Sequence, residues 1–375
     1  MNESTPETTS EYGISKLPST PSYRAPQLAY DPVCLPEYRQ RIGLIGAGGI
    51  SEFHLKAYRK MDLEVVWICD LDPQRAAARA AEFYPDARTT SRFEDVLKDD
   101  TVPVVDVATY PEHRNSIITN ALQHRKHVLC QKPFVVDLDE GARLADLADE
   151  QDVCMAINQN GRWAPHFQYM IQATRAHLIG PVSTIDFLSH WDHTWTIDSP
   201  FNEIHHLVLY DFGIHWFDLA NVLLAPLTAE SVFASVRHTS YQKAKPPYLA
   251  TAIIDYPQAQ VRINFNAHVQ FGQKDQTVVA GEAGTLRASG PSLNEQELQL
   301  WTRDGVAVPA LNGCWFDNGF RGTMCELLAA IAEGREPSNS ARTNLKSLEL
   351  CFAAIASANS GRPTKPGQIR AIAQK

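Results

Sequence analysis

The chain has 375 residues, of which 44% are apolar and 21% charged, with a formal net charge of −9. That length exceeds what one hydrophobic core usually organises, so two domains are expected, and no apolar run approaches the ~20 residues that span a bilayer. The acidic balance, with no cluster of Lys and Arg, excludes the counterion-releasing surface that a nucleic-acid binder needs.

Residues 1–39 are rich in Ser, Thr, Pro and Glu, with Tyr23, Tyr30 and Tyr38 set among prolines. Such a composition cannot form its own core, so it predicts either a disordered tail or an extended arm along the body or a neighbouring subunit. No basic stretch leads into an apolar segment of the kind a secretory leader carries, so a cytoplasmic location is expected. Seven scattered cysteines without a CxxC pair predict free thiols rather than a disulfide framework or a thiolate zinc site.

From Arg41 the texture changes. RIGLIG predicts a short strand, AGGIS a turn, and EFHLKAYRK a helix with Leu55 and Tyr58 on one side. LEVVWICD, VPVVDVAT, KHVLCQKP and VCMAINQN predict further buried strands, alternating with helices in PQRAAARAAEFY, NSIITNALQ and DEGARLADLADEQ. The alternation predicts an α/β unit, a doubly wound parallel sheet of Rossmann type over residues 40–158. Beyond it, STIDFLSHWDH, ESVFASVRHTS, LATAIIDYP, AQVRINFNAHVQF and TLRASG read as longer alternating strands. They predict a C-terminal α+β domain over 159–375 with an open, mostly antiparallel sheet, one helix near 210–224 and two more near 324–333 and 344–358.

Gly46-Ala47-Gly48-Gly49-Ile50-Ser51 follows a strand and opens a helix, where backbone N–H groups and the helix dipole hold a pyrophosphate. Gly46 suits the tight turn, Gly48 and Gly49 let phosphate approach, and Ile50 leads into the helix. Asp70 ends the next strand, 24 residues after Gly46, placed to accept hydrogen bonds from an adenosine ribose. With Asp72 beside it a 2′-phosphate would be repelled, so NAD is expected over NADP, Arg75 being the one opposing charge. Thr109 and Pro111 end the third long strand at the same carboxyl edge and are expected to line the cofactor, with ordinary loop chemistry as the alternative.

The next strand ends in Gln131-Lys132-Pro133, setting a lysine beside the expected nicotinamide, and Gln131 and Lys132 are both expected to touch the cofactor. Asp211 and His215 lie four residues apart, so on a helix they share a face. Gly213 between them, with Glu203, His205 and His206 just before, favours a solvent-reaching pocket over a sealed core. The spacing of His190, His193, His205, His206 and His215 fits no common zinc motif, and no metal is expected.

Taken together, GLIGAGGIS, the strand-end Asp70, the block ALQHRKHVLCQKP and DFGIHWFD resemble the glucose-fructose oxidoreductase, inositol dehydrogenase and rhizopine-catabolism family over about residues 41–370. The resemblance implies that Lys132, Asp211 and His215 are the working residues of an NAD(P)-dependent oxidoreductase acting on a secondary hydroxyl of a sugar, glycoside or cyclitol. His215, with an imidazole pKa ordinarily near 6.5, would take the hydroxyl proton; Lys132 would stabilise developing alkoxide and Asp211 would orient the reacting groups. Asn160, Arg162, Trp163, Trp191, His193 and His206 are candidates for the substrate wall, since aromatic faces and polar side chains suit a sugar. Gln131 stands where the family usually has Glu, Arg125 where a glycine commonly ends the preceding helix, and His113 one place before the usual histidine. A homodimer or homotetramer is implied. Two other readings stay open: an NAD-dependent glycoside hydrolase or lyase working by transient oxidation, and a non-catalytic NAD-binding regulator.

Overall fold

A computed structural model describes residues 20–373; the first 19 residues of the expected arm lie outside the described residues. Six strands, β1 (Ile42–Ile45), β2 (Val65–Cys69), β3 (Arg88–Thr90), β4 (Val104–Val107), β5 (His127–Gln131) and β6 (Met155–Asn158), form a parallel sheet in the order β3-β2-β1-β4-β5-β6. Apart from the exposed edge strand β3 they are almost wholly apolar and buried, as strands covered on both faces must be. The crossovers run through helices α1 (Ser51–Lys60), α2 (Pro73–Phe83), α3 (Phe93–Leu97), α4 (Pro111–Gln123) and α5 (Leu138–Glu150). β2 and β4 flank β1 on opposite sides, so the strand order reverses there and opens a crevice at the carboxyl edge. The glycine turn, Thr109 and Lys132 all sit at that edge.

Arg125, just after α4, has φ 55°. The left-handed turn that a glycine takes at no cost is kept here by a residue that pays ~1 kcal/mol or more for it.

Helix α6 (Pro165–Arg175) leads to strand β7 (Val182–His190), and helix α7 (Ile214–Leu224) follows. Strands β8 (Ser231–Arg237), β9 (Leu249–Tyr256), β10 (Ala259–Asn266), β11 (Lys274–Gly281), β12 (Gly284–Ser292), β13 (Glu295–Thr302) and β14 (Gly305–Ala307) complete an eight-stranded sheet ordered β14-β13-β12-β11-β7-β10-β9-β8. Only the β7–β10 pair is parallel. Burial alternates along β10, as expected for a sheet covered on one face and open on the other. β3, α3, α6, β11, β13 and β14 add to the elements read from sequence.

Helix α8 (Trp315–Glu333) begins nine residues earlier than expected near 324. It packs on the first sheet, where Phe320, Met324 and Leu328 share a core with Ile42, Leu44 and Leu55. Helix α9 (Ala341–Ser360) lies against α5, α7 and β8. The last helices of the C-terminal stretch therefore close the side of the nucleotide-binding sheet and carry Trp315 to the site.

From residue 20 the arm lies on its own chain. Tyr23 N donates to Val306 O (3.0 Å), Val306 N donates to Pro21 O (2.8 Å), and Asp31 accepts from Asn318 and Arg321 at the start of α8. All seven cysteines are free thiols. Among the described residues no helix is long and apolar enough to cross a membrane.

Candidate active site

The phosphate cradle comes first because β1 ends in it. Gly46 has φ 105°, and a Cβ there would lie 2.8 Å from the Ala108 backbone. Gly48 and Gly49 face open space, since a Cβ on either would meet nothing within 4 Å. The N–H groups of Gly48, Gly49 and Ile50 have no partner among the described residues, which is what an anion at the start of α1 requires. Asp70 stiffens the turn: its Oδ2 accepts from Ala47 N (2.7 Å) and its Oδ1 from Asp72 N (2.9 Å). Each carboxylate oxygen keeps a second lone pair for a ribose hydroxyl. These residues fit a dinucleotide.

Lys132 emerges at the end of β5. Its Nζ donates to the backbone O of Asp211 (2.9 Å) and to Asp211 Oδ2 (3.1 Å). The two side chains are 16% and 10% exposed, so the pair is largely dry yet reaches the cleft. An ammonium has three N–H donors; Asp211 takes two, and the third is free for a substrate oxygen.

Asp211 does not sit on a regular helix. Val208–Phe212 forms a π turn, closed by Gly213 N donating to Val208 O (2.8 Å), and α7 begins only afterwards. A Cβ on Gly213 would lie 2.6 Å from Leu209 O, so glycine is what allows this widened turn, a feature frequent at functional sites. His215 enters from the first turn of α7, edge-on to Trp315 with ring centroids 5.3 Å apart. Burial, and secondarily the Lys132 charge, hold its imidazole well below the usual pKa. That downward shift from the ordinary imidazole value favours the neutral ring, the form able to accept a proton. Trp315 fits so closely because residue 161 is glycine, where a Cβ would lie 2.8 Å from the indole and 3.5 Å from His215 Nδ1.

Lys132, Asp211 and His215 line one cleft of about 420 Å³ together with Ile50 of the glycine turn. Gln131, Asn160, Trp191 and His193 share it. Asn160 Oδ1 accepts from Trp315 Nε1 (2.9 Å), and the Trp191 and His193 rings stack at 5.2 Å. Burial pushes His193 down to about 4.

Three expected wall residues are placed elsewhere. Arg162 forms a buried ion pair with Asp218 (2.5 and 2.6 Å) and also donates to Ser338 O (2.6 Å). Trp163 packs under α8, filling the space left by Gly322. His206 Nε2 bonds Asn359 Oδ1 (2.8 Å), away from the cleft. Of the cofactor candidates, Thr109 has a buried Oγ1 without a partner among the described residues, and Pro111 opens α4 beside a second cavity of about 270 Å³ lined by Tyr110, His113 and His205.

A buried polar chain under the lysine was not anticipated. Asp106 Oδ2 accepts from Tyr58 OH (2.6 Å) and faces His54 Nδ1 (2.7 Å). His54 Nε2 lies 3.3 Å from the amide nitrogens of both Gln131 and Asn158, and Gln131 Oε1 accepts from Lys132 N (2.7 Å). Asp106, Tyr58, His54, Gln131 and Asn158 thus form one connected buried polar chain. The Asp in VVDV was the legible signal, because a carboxylate inside a buried strand needs partners.

Residues 40–159 match an oxidoreductase family with an NAD-binding Rossmann fold, and residues 167–287 match the GFO/IDH/MocA C-terminal domain. The chain belongs to the GFO/IDH/MocA oxidoreductase family. It is an NAD-binding oxidoreductase. It is 27% identical over 361 residues to a D-apiose dehydrogenase of Paraburkholderia graminis, covering 88% of this chain and 90% of that one. It is 24% identical over 324 residues to an inositol 2-dehydrogenase of Rhizobium meliloti, covering 84% and 96% respectively. The fold is shared with an oxidoreductase from Agrobacterium radiobacter solved with NAD+, L-tartaric acid and magnesium, at TM-score 0.79 and 21% identity over 88% of this chain and 99% of that one.

Proposed function

We propose that the protein is an NAD-dependent dehydrogenase of a secondary hydroxyl on a sugar or polyol, with Lys132, Asp211 and His215 as its catalytic residues. The observation that carries this is their meeting in one cleft with Ile50 of the phosphate-binding turn. Relatives named D-apiose dehydrogenase and inositol 2-dehydrogenase support the substrate class.

Bound NAD supplies the hydride acceptor. The N–H groups of Gly48, Gly49 and Ile50 hold its pyrophosphate and Asp70 its adenosine ribose. Lys132 gives its third N–H to the carbinol oxygen, and its charge stabilises the oxygen as the proton leaves. Asp211 keeps the ammonium aimed by taking the other two donors. His215, held neutral, is ready to accept the hydroxyl proton, and its low basicity returns that proton readily in the reverse direction. The aromatic walls exclude water, which strengthens each of these interactions.

NAD is favoured over NADP because the negative charges of Asp70 and Asp72 at the end of β2 would repel a 2′-phosphate, and Arg75 is already engaged with Asp72 (3.4 Å). The test is a panel of sugars and cyclitols with NAD and NADP, read by NADH or NADPH absorbance. Net NADH with at least one substrate is expected; glycoside cleavage without it would favour transient oxidation. Asp70→Ala should weaken NAD binding or relax discrimination against NADP, and an unchanged preference would remove Asp70 from the ribose site.

A further inference from the structure

Beyond the reacting groups, the cleft continues outward as a run of aromatic rings. Trp191, 8% exposed, stacks on His193; the His193 ring meets Phe212 at 4.4 Å; Phe201 stacks on Phe212 at 6.3 Å; and Trp195 meets Phe201 at 5.2 Å. Trp195 is 55% exposed. The run therefore passes from buried Trp191 to half-exposed Trp195, and every member lines the same cleft as Lys132.

The rim is built rather than loose. Trp195 sits on a one-turn 3-10 segment, Thr194–Thr196, whose Thr196 is fully buried. Thr196 Oγ1 and Tyr248 OH lie 2.5 Å apart and 2.9 and 3.0 Å from His193 O, so their two hydroxyl hydrogens supply two of these three contacts, one hydroxyl donating to the other and the other to the carbonyl. A large indole held half in water by a buried anchor leaves apolar area uncovered, which is costly unless something covers it. Gln273 and Asn294 line the same cleft and bring polar side chains to it. Trp191 Nε1 and His193 Nδ1 are buried without partners among the described residues.

We infer that this outer half is a subsite for a second sugar ring, so that the preferred substrate is a disaccharide or other sugar-linked glycoside rather than a free monosaccharide. A pyranose ring has an apolar C–H face for Trp195 and Phe201, and hydroxyls on its rim for Gln273 and Asn294. A purely apolar aglycone would leave Gln273 and Asn294 unpaired, at the cost of their desolvation. The inference rests on the dehydrogenase reading above.

The test compares matched pairs, glucose with cellobiose, galactose with lactose and xylose with xylobiose, by NADH formation in wild type, Trp195→Ala and Trp195→Phe. For at least one pair the disaccharide is expected to have the higher kcat/KM. Trp195→Ala should cut the disaccharide-to-monosaccharide ratio by about tenfold or more, the size of losing one apolar contact on a substrate. Trp195→Phe should restore part of it. Oxidation of the monosaccharides with no gain from the second ring, or a ratio unmoved by Trp195→Ala, overturns the subsite and leaves the dehydrogenase intact. Absence of NADH from every sugar and cyclitol overturns both.

Discussion

Replacing Lys132 with Met removes the charge while keeping an unbranched chain of similar length. Two of the three Nζ donors serve Asp211, so the substrate loses the one donor left to it. A donor aimed at developing oxyanion charge is worth about 2.7–4 kcal/mol, or roughly 10²–10³ in kcat. The ground-state hydroxyl is neutral, so KM should move far less. NAD affinity should stay near wild type, because the proposed cradle is Gly48–Ile50 with Asp70. A second readout follows from His215, whose low pKa is due first to burial and second to Lys132. Removing the cation lifts the second cause, so the histidine pKa moves up; the proton acceptor must be neutral, so the acid limb of the pH–rate profile moves to higher pH. Steady-state NADH formation over a pH series, with NAD affinity from fluorescence titration, measures all of this. A kcat within about tenfold of wild type with NAD binding intact, or an acid limb displaced downward, would refute the reasoning.

Gly161→Ala places a methyl 2.8 Å from Trp315 and 3.5 Å from His215; kcat should fall by about 10²-fold, the cost of displacing a reacting group by ~1 Å, and a fully active variant would show that the Trp315–His215 contact is dispensable. Arg162→Leu strands Asp218, which is 1% exposed, and should cost about 3–5 kcal/mol of stability, read as a lower Tm; an unchanged Tm with lost activity would return Arg162 to the substrate wall. Acid should destabilise the fold. Burial holds His166 at about 3, His193 at about 4 and His215 well below its usual value, while it raises Asp275 to about 7. As pH falls from 6.5 towards 4 the unfolded chain binds protons at three imidazoles that the folded chain refuses, and the folded chain gains one at Asp275. The net loss is roughly 1–3 kcal/mol per pH unit; denaturant melts that hold constant over this window would contradict it.

The Rossmann half was legible because its physics is local: apolar runs too short for helices, each followed by a helical period, and a glycine turn with no other use for its open N–H groups. Lys132 was legible for the same reason, since the end of a parallel strand has one place to be. The second sheet was visible only in part. β11 and β13 carry polar residues on both faces, and β14 is three residues long, so their pattern is weak. Asp211 and His215 were found by a four-residue spacing, but the π turn that aims Asp211 depends on Gly213 and is invisible to a helical period. Arg162 and Trp163 followed the last Rossmann strand and looked like site residues; only the tertiary fold shows Asp218 claiming the first and Gly322 of α8 receiving the second. Trp315, which packs against His215, lies a hundred residues further along the chain and carries no local mark of its role.

The most direct test is a crystal structure with NAD and an oxidisable sugar bound together. The account predicts pyrophosphate oxygens on the N–H groups of Gly48–Ile50, and the carbinol oxygen within roughly 2.6–3.2 Å of both Lys132 Nζ and a His215 ring nitrogen. A sugar whose carbinol is held by other groups, with Lys132 still closed on Asp211 alone, would contradict it.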